Sequence, residues 1–153
     1  MNSVVERRWV LPGLPKEIKA PGILITQGYV SGDQEAALCL HKKGDSDFFI
    51  TLKDSKHPEW EAPILDWVFK KLWSKIDGRS VERIVYSAVD SNRALEFNVY
   101  NGRLNGLVVV KVKFENLESA QEFISPWPGA IEVTNDNRYH NFYLAINGLP
   151  SKN

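Results

Sequence analysis

Side chains that alternate between apolar and polar at every second position constrain this chain more than any other feature. In the stretch 108–114, VVVKVKF, Val108, Val110, Val112 and Phe114 fall on one side, and Val109, Lys111 and Lys113 on the other. A period of two is the signature of a strand with one buried face. The pattern recurs along the chain. VVERRWVL (4–11), ILITQGYV (23–30), AALCLHKK (36–43), FFITLK (48–53), EWEAPI (59–64), VERIVYSA (81–88), LEFNVY (95–100), GLVVVKVKF (106–114) and the short IEVT (131–134) all read as strands. Gly44-Asp45-Ser46-Asp47 and Asn101-Gly102 are turn signals that join neighbouring strands as hairpins. The period changes in ILDWVFKKLWSKID (64–77), where Ile64, Trp67, Val68, Leu72 and Ile76 form a helical apolar stripe after Pro63 that stops at Gly78. LESAQEFI (117–124) and NRYHNFYLAIN (137–147) are two further short helices.

These elements predict an α+β domain, mainly antiparallel β, of about eight strands with two or three helices, in a single domain over 1–153. Helices cover apolar sheet faces. The polar faces then either meet solvent across an open sheet or turn inward around a charged lumen in a closed barrel. Alternation alone leaves both open.

Composition narrows the function. The chain has 153 residues, and its 19 Lys+Arg balance its 19 Asp+Glu. No global field or basic stripe draws it to nucleic acid or to an acidic membrane. No apolar run approaches a membrane span, and the N-terminal stretch has no signal-type apolar segment. Cys39 is the only cysteine and excludes an intrachain disulfide, which fits a reducing, cytoplasmic setting. There is no glycine-rich phosphate loop and no nucleophile triad. Ser31, Ser46 and Ser55 fall in turns, and no histidine is obviously paired with them. His140 reads as a surface residue.

The polar faces taken in chain order resemble the CYTH superfamily, the triphosphate tunnel metalloenzymes. ITQGYVS, KGDSDFFITLK, EWEAPI, LNGLVVVKVKF and PGAIEVTNDNRYHN carry the likeness, which spans almost the whole chain. The resemblance implies an eight-stranded closed or nearly closed tunnel barrel with peripheral helices. It implies inward Arg and Lys that bind a triphosphate, and inward Glu and Asp that hold a divalent metal. Most such enzymes hydrolyse inorganic, thiamine or nucleoside triphosphates.

The chain departs from the family pattern at several positions. The opening Glu-x-Glu-x-Lys reads Val4-Val5-Glu6-Arg7-Arg8. An Arg-x-Arg pair falls on Cys39 and His41, and an Arg-x-Glu-x-Glu segment becomes His57-Pro58-Glu59-Trp60-Glu61. Of a Lys-x-Arg pair only Arg83 remains, with Val85 as the second member. A Glu-x-Asp pair becomes Glu96 and Asn98. A metal-binding Glu-x-Glu pair falls on Lys111 and Lys113. Lys53 and Glu132-Val133-Thr134 are kept.

Divalent Mg²⁺ and Mn²⁺ want oxygen ligands, and a charged ammonium has no lone pair to give. The expected inventory is therefore anion-binding Arg8, Lys53, Arg83, Lys111 and Lys113 against Glu6, Glu59, Glu61, Glu96 and Glu132. No metal or other cofactor is expected. The leading reading is a catalytically degenerate domain that binds a phosphate-rich small anion without metal-dependent hydrolysis, or serves as an interaction module. Alternatively, each lysine neutralises a facing glutamate. The enzyme alternative is an active triphosphatase with Mg or Mn held by rearranged ligands, its catalytic candidates being Glu6, Glu59, Glu61 and Glu132. Cys39, His41 and His57 form a minor zinc-type candidate beside Glu59.

Overall fold

The computed structural model describes residues 5–19, 21–33 and 35–151. These divide into two compact units. The first draws on Met1–Gly22 and Ile84–Asn137, and the second on Ile23–Arg83 and Arg138–Asn153.

In the first unit, β1 (Val5–Leu11), β7 (Arg93–Tyr100) and β8 (Val108–Phe114) form an antiparallel ladder, with the two-residue β9 (Ile131–Glu132) against the free side of β1. The expected apolar set lies on one face. Trp9, Leu11, Leu95, Phe97, Val108, Val110, Val112 and Phe114 are all buried there. The helix α2 (Leu117–Glu122) covers this face. The Asn116 side chain accepts from the Ser119 backbone N–H and caps its start. Phe123 and Trp127 follow and pack tilted or edge-on against Trp9, with ring centroids 5.4 and 5.8 Å away.

In the second unit the antiparallel order is β2 (Ile23–Gly32), β3 (Ala36–Lys43), β4 (Asp47–Asp54) and β5 (His57–Pro63). The apolar face gathers Leu40, Phe48 and Ile50 beneath α1 (Asp66–Trp73), which contributes Phe69, Leu72 and Trp73. Ile76 joins this core just beyond the helix. Gly28 is required here, because a Cβ would run into the Ile76 and Trp73 side chains. A last helix, α3 (Asn141–Asn147), sets Phe142 edge-on to Tyr29 at 5.2 Å.

The long strand β6 (Ser80–Asp90) contributes its first residues to the second unit and the rest to the first. The α+β, mainly antiparallel class is as expected. Nine strands are present among the described residues rather than eight. Among the described residues the hydrogen-bonded order runs from β5 in one unit to β9 in the other. At one of those ends β9 has only two paired residues, too few to extend the ladder.

The helical stripe also needs correction. Trp67 is 61% exposed, and Phe69 takes the buried place. The helix stops at Trp73, because Lys75 and Ile76 bond back to Leu72 and Trp73 in tighter turns.

Candidate active site

On the polar face of the first unit the register decides which side chains meet. Arg8, Lys111 and Glu96 stand side by side across β1, β8 and β7; Glu6, Lys113 and Ala94 form the next row. The Lys111 ammonium lies 3.2 Å from Glu96 Oε2 and 4.0 Å from Glu6 Oε1. Arg8 Nη2 donates to Glu6 Oε2 at 3.2 Å. Asn98 Nδ2 donates to the Glu96 carbonyl and to its carboxylate. Lys113 is exposed, with no ion pair of its ammonium among the described residues. A groove of about 350 Å³ is lined by Ser87, Ala94, Glu96, Lys111 and Lys113. That size lies within the range of small-molecule sites.

Glu132 does not belong to this face. It pairs with Trp9, so it shares the side of β1 that carries Arg7. Arg7 donates through Nε and Nη2 to the two Glu132 oxygens, at 2.9 and 2.8 Å. Its Nη1 donates to the carbonyls of Ala120 and Phe123, which ties β9 to the end of α2. The Arg7 guanidinium holds the Glu132 carboxyl below the usual range, helped by the Thr134 hydroxyl. Glu132 is thus a structural clamp, and expecting it among the polar-face acids was wrong. Arg7, half-buried over the Trp9 ring at 4.7 Å, was passed over because alternation groups it with apolar neighbours.

The second unit treats its polar face differently. One row runs Tyr29, Cys39, Thr51 and Glu61 across β2 to β5, with Gln27, His41 and Phe49 in the next. Gln27, Tyr29, Cys39, His41, Thr51 and Arg83 are all buried. Arg83 donates to Gln27 Oε1 at 3.0 Å, and Gln27 Nε2 donates to the Tyr29 hydroxyl at 2.6 Å. His41 Nδ1 shares a 2.9 Å hydrogen bond with the Thr51 hydroxyl. Burial pushes the His41 pKa down to about 3, and the charges of Lys53, Arg83 and Lys43 push the same way. Burial likewise pushes the Cys39 thiol up to about 11, against the pull of Lys53.

The lysines of this unit sit at its wetter margin. Lys53 lies 3.7 Å from Glu59 and Lys43 3.6 Å from Glu61, in half-exposed pairs. Gln27, Tyr29 and Thr51 were missed as members of the polar network. Their parity with Cys39 and His41 on adjacent strands was the available signal.

The zinc-type grouping is not brought together. Cys39 and His41 are buried, whereas His57 is exposed beside a strand irregularity and bonds to Asp54 Oδ2 at 3.1 Å. Among the described residues no three or more His, Cys, Asp or Glu side chains converge as a metal cage. On the first unit's polar face Glu6 and Glu96 both reach the Lys111 ammonium, which stands between them. The residues present therefore do not fit a divalent metal at this pair.

No family model matches the chain. An inorganic triphosphatase of Nitrosomonas europaea is 32% identical over 148 residues, which covers 93% of this chain and 96% of that protein. The crystal structure of the inorganic triphosphatase NE1496 superposes with a TM-score of 0.78 at 32% identity, over 99% of each chain. A putative adenylyl cyclase from Hippeastrum shares the fold, with a TM-score of 0.53 at 15% identity over 79% of this chain and 83% of that one. These relatives overturn the expectation of a catalytically degenerate binding or interaction module, since a protein matched over nearly the whole chain is named inorganic triphosphatase. No helix among the described residues is long and apolar enough to cross a membrane. The extent and identity of the match settle the family, and the chain belongs to the CYTH superfamily, the triphosphate tunnel metalloenzymes.

Proposed function

We propose that this protein hydrolyses inorganic triphosphate. The observation that carries the proposal is the 32% identity, over 93% of the chain, to a protein named inorganic triphosphatase. In this reading the groove on the first unit's polar face receives one end of the anion. Lys113 is the ammonium on that face with no carboxylate partner among the described residues, and Ser87 offers a hydroxyl in the same groove. A charge-assisted bond from Lys113 to a phosphate oxygen is worth about 1.5–3 kcal/mol. Water adds to the terminal phosphorus, the bond from that phosphorus to the bridging oxygen breaks, and pyrophosphate leaves. Glu96 lines the groove and accepts the proton released from the attacking water. No step is routed through a metal, because Lys111 already stands between the carboxylates of this face. Cys39, buried and reduced, suits a cytoplasmic setting.

The test is phosphate release from tripolyphosphate by the purified chain, in EDTA and separately in excess Mg²⁺ or Mn²⁺. Turnover in either arm is expected. Lys113→Met should raise KM about tenfold, as the loss of one such bond implies. Glu96→Gln should lower kcat about 100-fold, within the usual contribution of a general base. Absence of phosphate release in every arm would overturn the proposal.

A further inference from the structure

We infer that Lys111 is a tethered counter-cation. Its ammonium fills the place between Glu6 and Glu96 that a hard divalent ion would need, and so it sets the cation preference of this polar face. The inference rests on geometry and does not depend on triphosphate hydrolysis.

Two neighbouring lysines on one strand face do different jobs. Lys111 is bracketed by carboxylates from the strands on both sides, Glu6 on β1 and Glu96 on β7. Its side chain is only 22% exposed. Lys113, two residues along, reaches solvent instead. The carboxylates are held independently as well: Arg8 bonds Glu6 on its other oxygen, and Asn98 reaches Glu96. The result is an alternating array of two cations and two anions in which each carboxylate already has a cation.

A divalent ion entering this array would have to displace the ammonium or lie close to it. Displacement strands a charge that is covalently anchored to β8 and cannot diffuse away. Coexistence sets like charges a few ångströms apart, and the ammonium offers no lone pair in compensation. Two carboxylates from the strands that flank β8 are otherwise the type of oxygen donor that Mn²⁺ or Mg²⁺ accepts. The backbone thus supplies a permanent monovalent substitute at this position.

The test is Mn²⁺ binding followed by electron paramagnetic resonance on the full chain. For the wild type, adding Glu96→Gln should change Mn²⁺ affinity less than twofold. Lys111→Glu should bind Mn²⁺ at least tenfold more tightly than wild type, and combining it with Glu96→Gln should remove the gain. Lys111→Met keeps the stem and drops the charge, and it serves if the glutamate variant does not fold. A gain over wild type in that variant supports the inference. Either of two results would overturn it: wild-type Mn²⁺ binding weakened tenfold by Glu6→Gln or Glu96→Gln, or folded Lys111 variants that gain no Mn²⁺ affinity. Cation binding is read without turnover, so these results stand whether or not tripolyphosphate is hydrolysed.

Discussion

The polar faces of the two units arise from the same alternating pattern yet are satisfied in opposite ways. On the first, charge meets charge. Glu6, Arg8, Glu96 and Lys111 form ion pairs while their side chains keep 18–37% exposure. On the second, the buried positions are mostly neutral. Gln27, Tyr29, Cys39, His41 and Thr51 share hydrogen bonds, and the lysines sit outside them in half-exposed pairs. The difference follows from what water can reach. An ion pair at the rim keeps part of its hydration, whereas a fully buried charge loses several kcal/mol unless richly bonded. The buried face therefore holds an imidazole kept neutral and one arginine bonded to an amide oxygen.

It follows from that contrast that breaking the neutral network costs more than breaking an ion pair. Gln27 is completely buried, accepts from Arg83 and donates to Tyr29. Gln27→Leu removes both bonds inside the core and should lower unfolding free energy by about 3 kcal/mol. Lys111→Met on the other face should cost about 1 kcal/mol or less, and the loss should shrink in high salt. Urea unfolding of both variants at two ionic strengths makes the measurement. Equal losses, or a larger one for Lys111→Met, would erase the distinction between the faces.

Acid should separate the faces next. His41 titrates near 3 in the folded chain and near 6.5 when unfolded. Between those values the unfolded chain binds the extra proton, so stability rises with pH and falls as pH drops from about 6.5 towards 3. The limiting slope for one such group is about 1.4 kcal/mol per pH unit. The groups facing His41 are Gln27 from β2, Cys39 and Lys43 on its own strand, Thr51 and Lys53 from β4, and Arg83 from β6. Of these, the cations all oppose its protonation. His41→Gln should flatten the stability curve between pH 6 and 4.5, before most carboxylates titrate. A variant that loses stability as steeply as wild type in that window would show that the imidazole is not held neutral.

Much of this arrangement was legible in the chain, because a period of two assigns faces without any knowledge of partners. The apolar set around Val110 and Phe114, the hairpin of β3 and β4, and the shared face of Cys39 and His41 all follow from it, whereas the burial of that polar face does not. What parity cannot supply is the end of a ladder. β9 pairs at only two positions, so the side taken by Glu132 depended on its registration with Trp9, a contact more than a hundred residues distant in sequence. His57 was misjudged for a related reason. The β4–β5 pairing shifts between Leu52 and Asp54, and the strand's start turns towards solvent. Lys111 and Lys113 look equivalent in sequence. Lys111 lies opposite Arg8 and Glu96, and Lys113 opposite Glu6 and Ala94, yet the Glu6 carboxylate turns to Arg8 and Lys111 rather than to its register partner. Trp67 fits the helical stripe as well as Phe69 does, and only the position of the sheet beneath chooses between them.

The smallest expected effect concerns Glu132, and it fixes where the first unit's polar face ends. Glu132→Gln keeps the shape and one acceptor oxygen. Arg7 retains its bonds to the Ala120 and Phe123 carbonyls, so its charge is not left bare. The pair is partly exposed, with 38% of the Glu132 side chain accessible, so solvent screening limits the loss to about 1 kcal/mol or less at neutral pH. The folded carboxyl titrates below its unfolded value, so its contribution is present above about pH 4.5 and is lost as pH falls through the folded pKa. Wild type and variant should therefore converge in stability in acid. KM and kcat for tripolyphosphate should stay within twofold of wild type, because the side chain lies on the helix-covered face of β1. A tenfold rise in KM would return Glu132 to the anion-binding face and break the assignment of sides that the register with Trp9 makes.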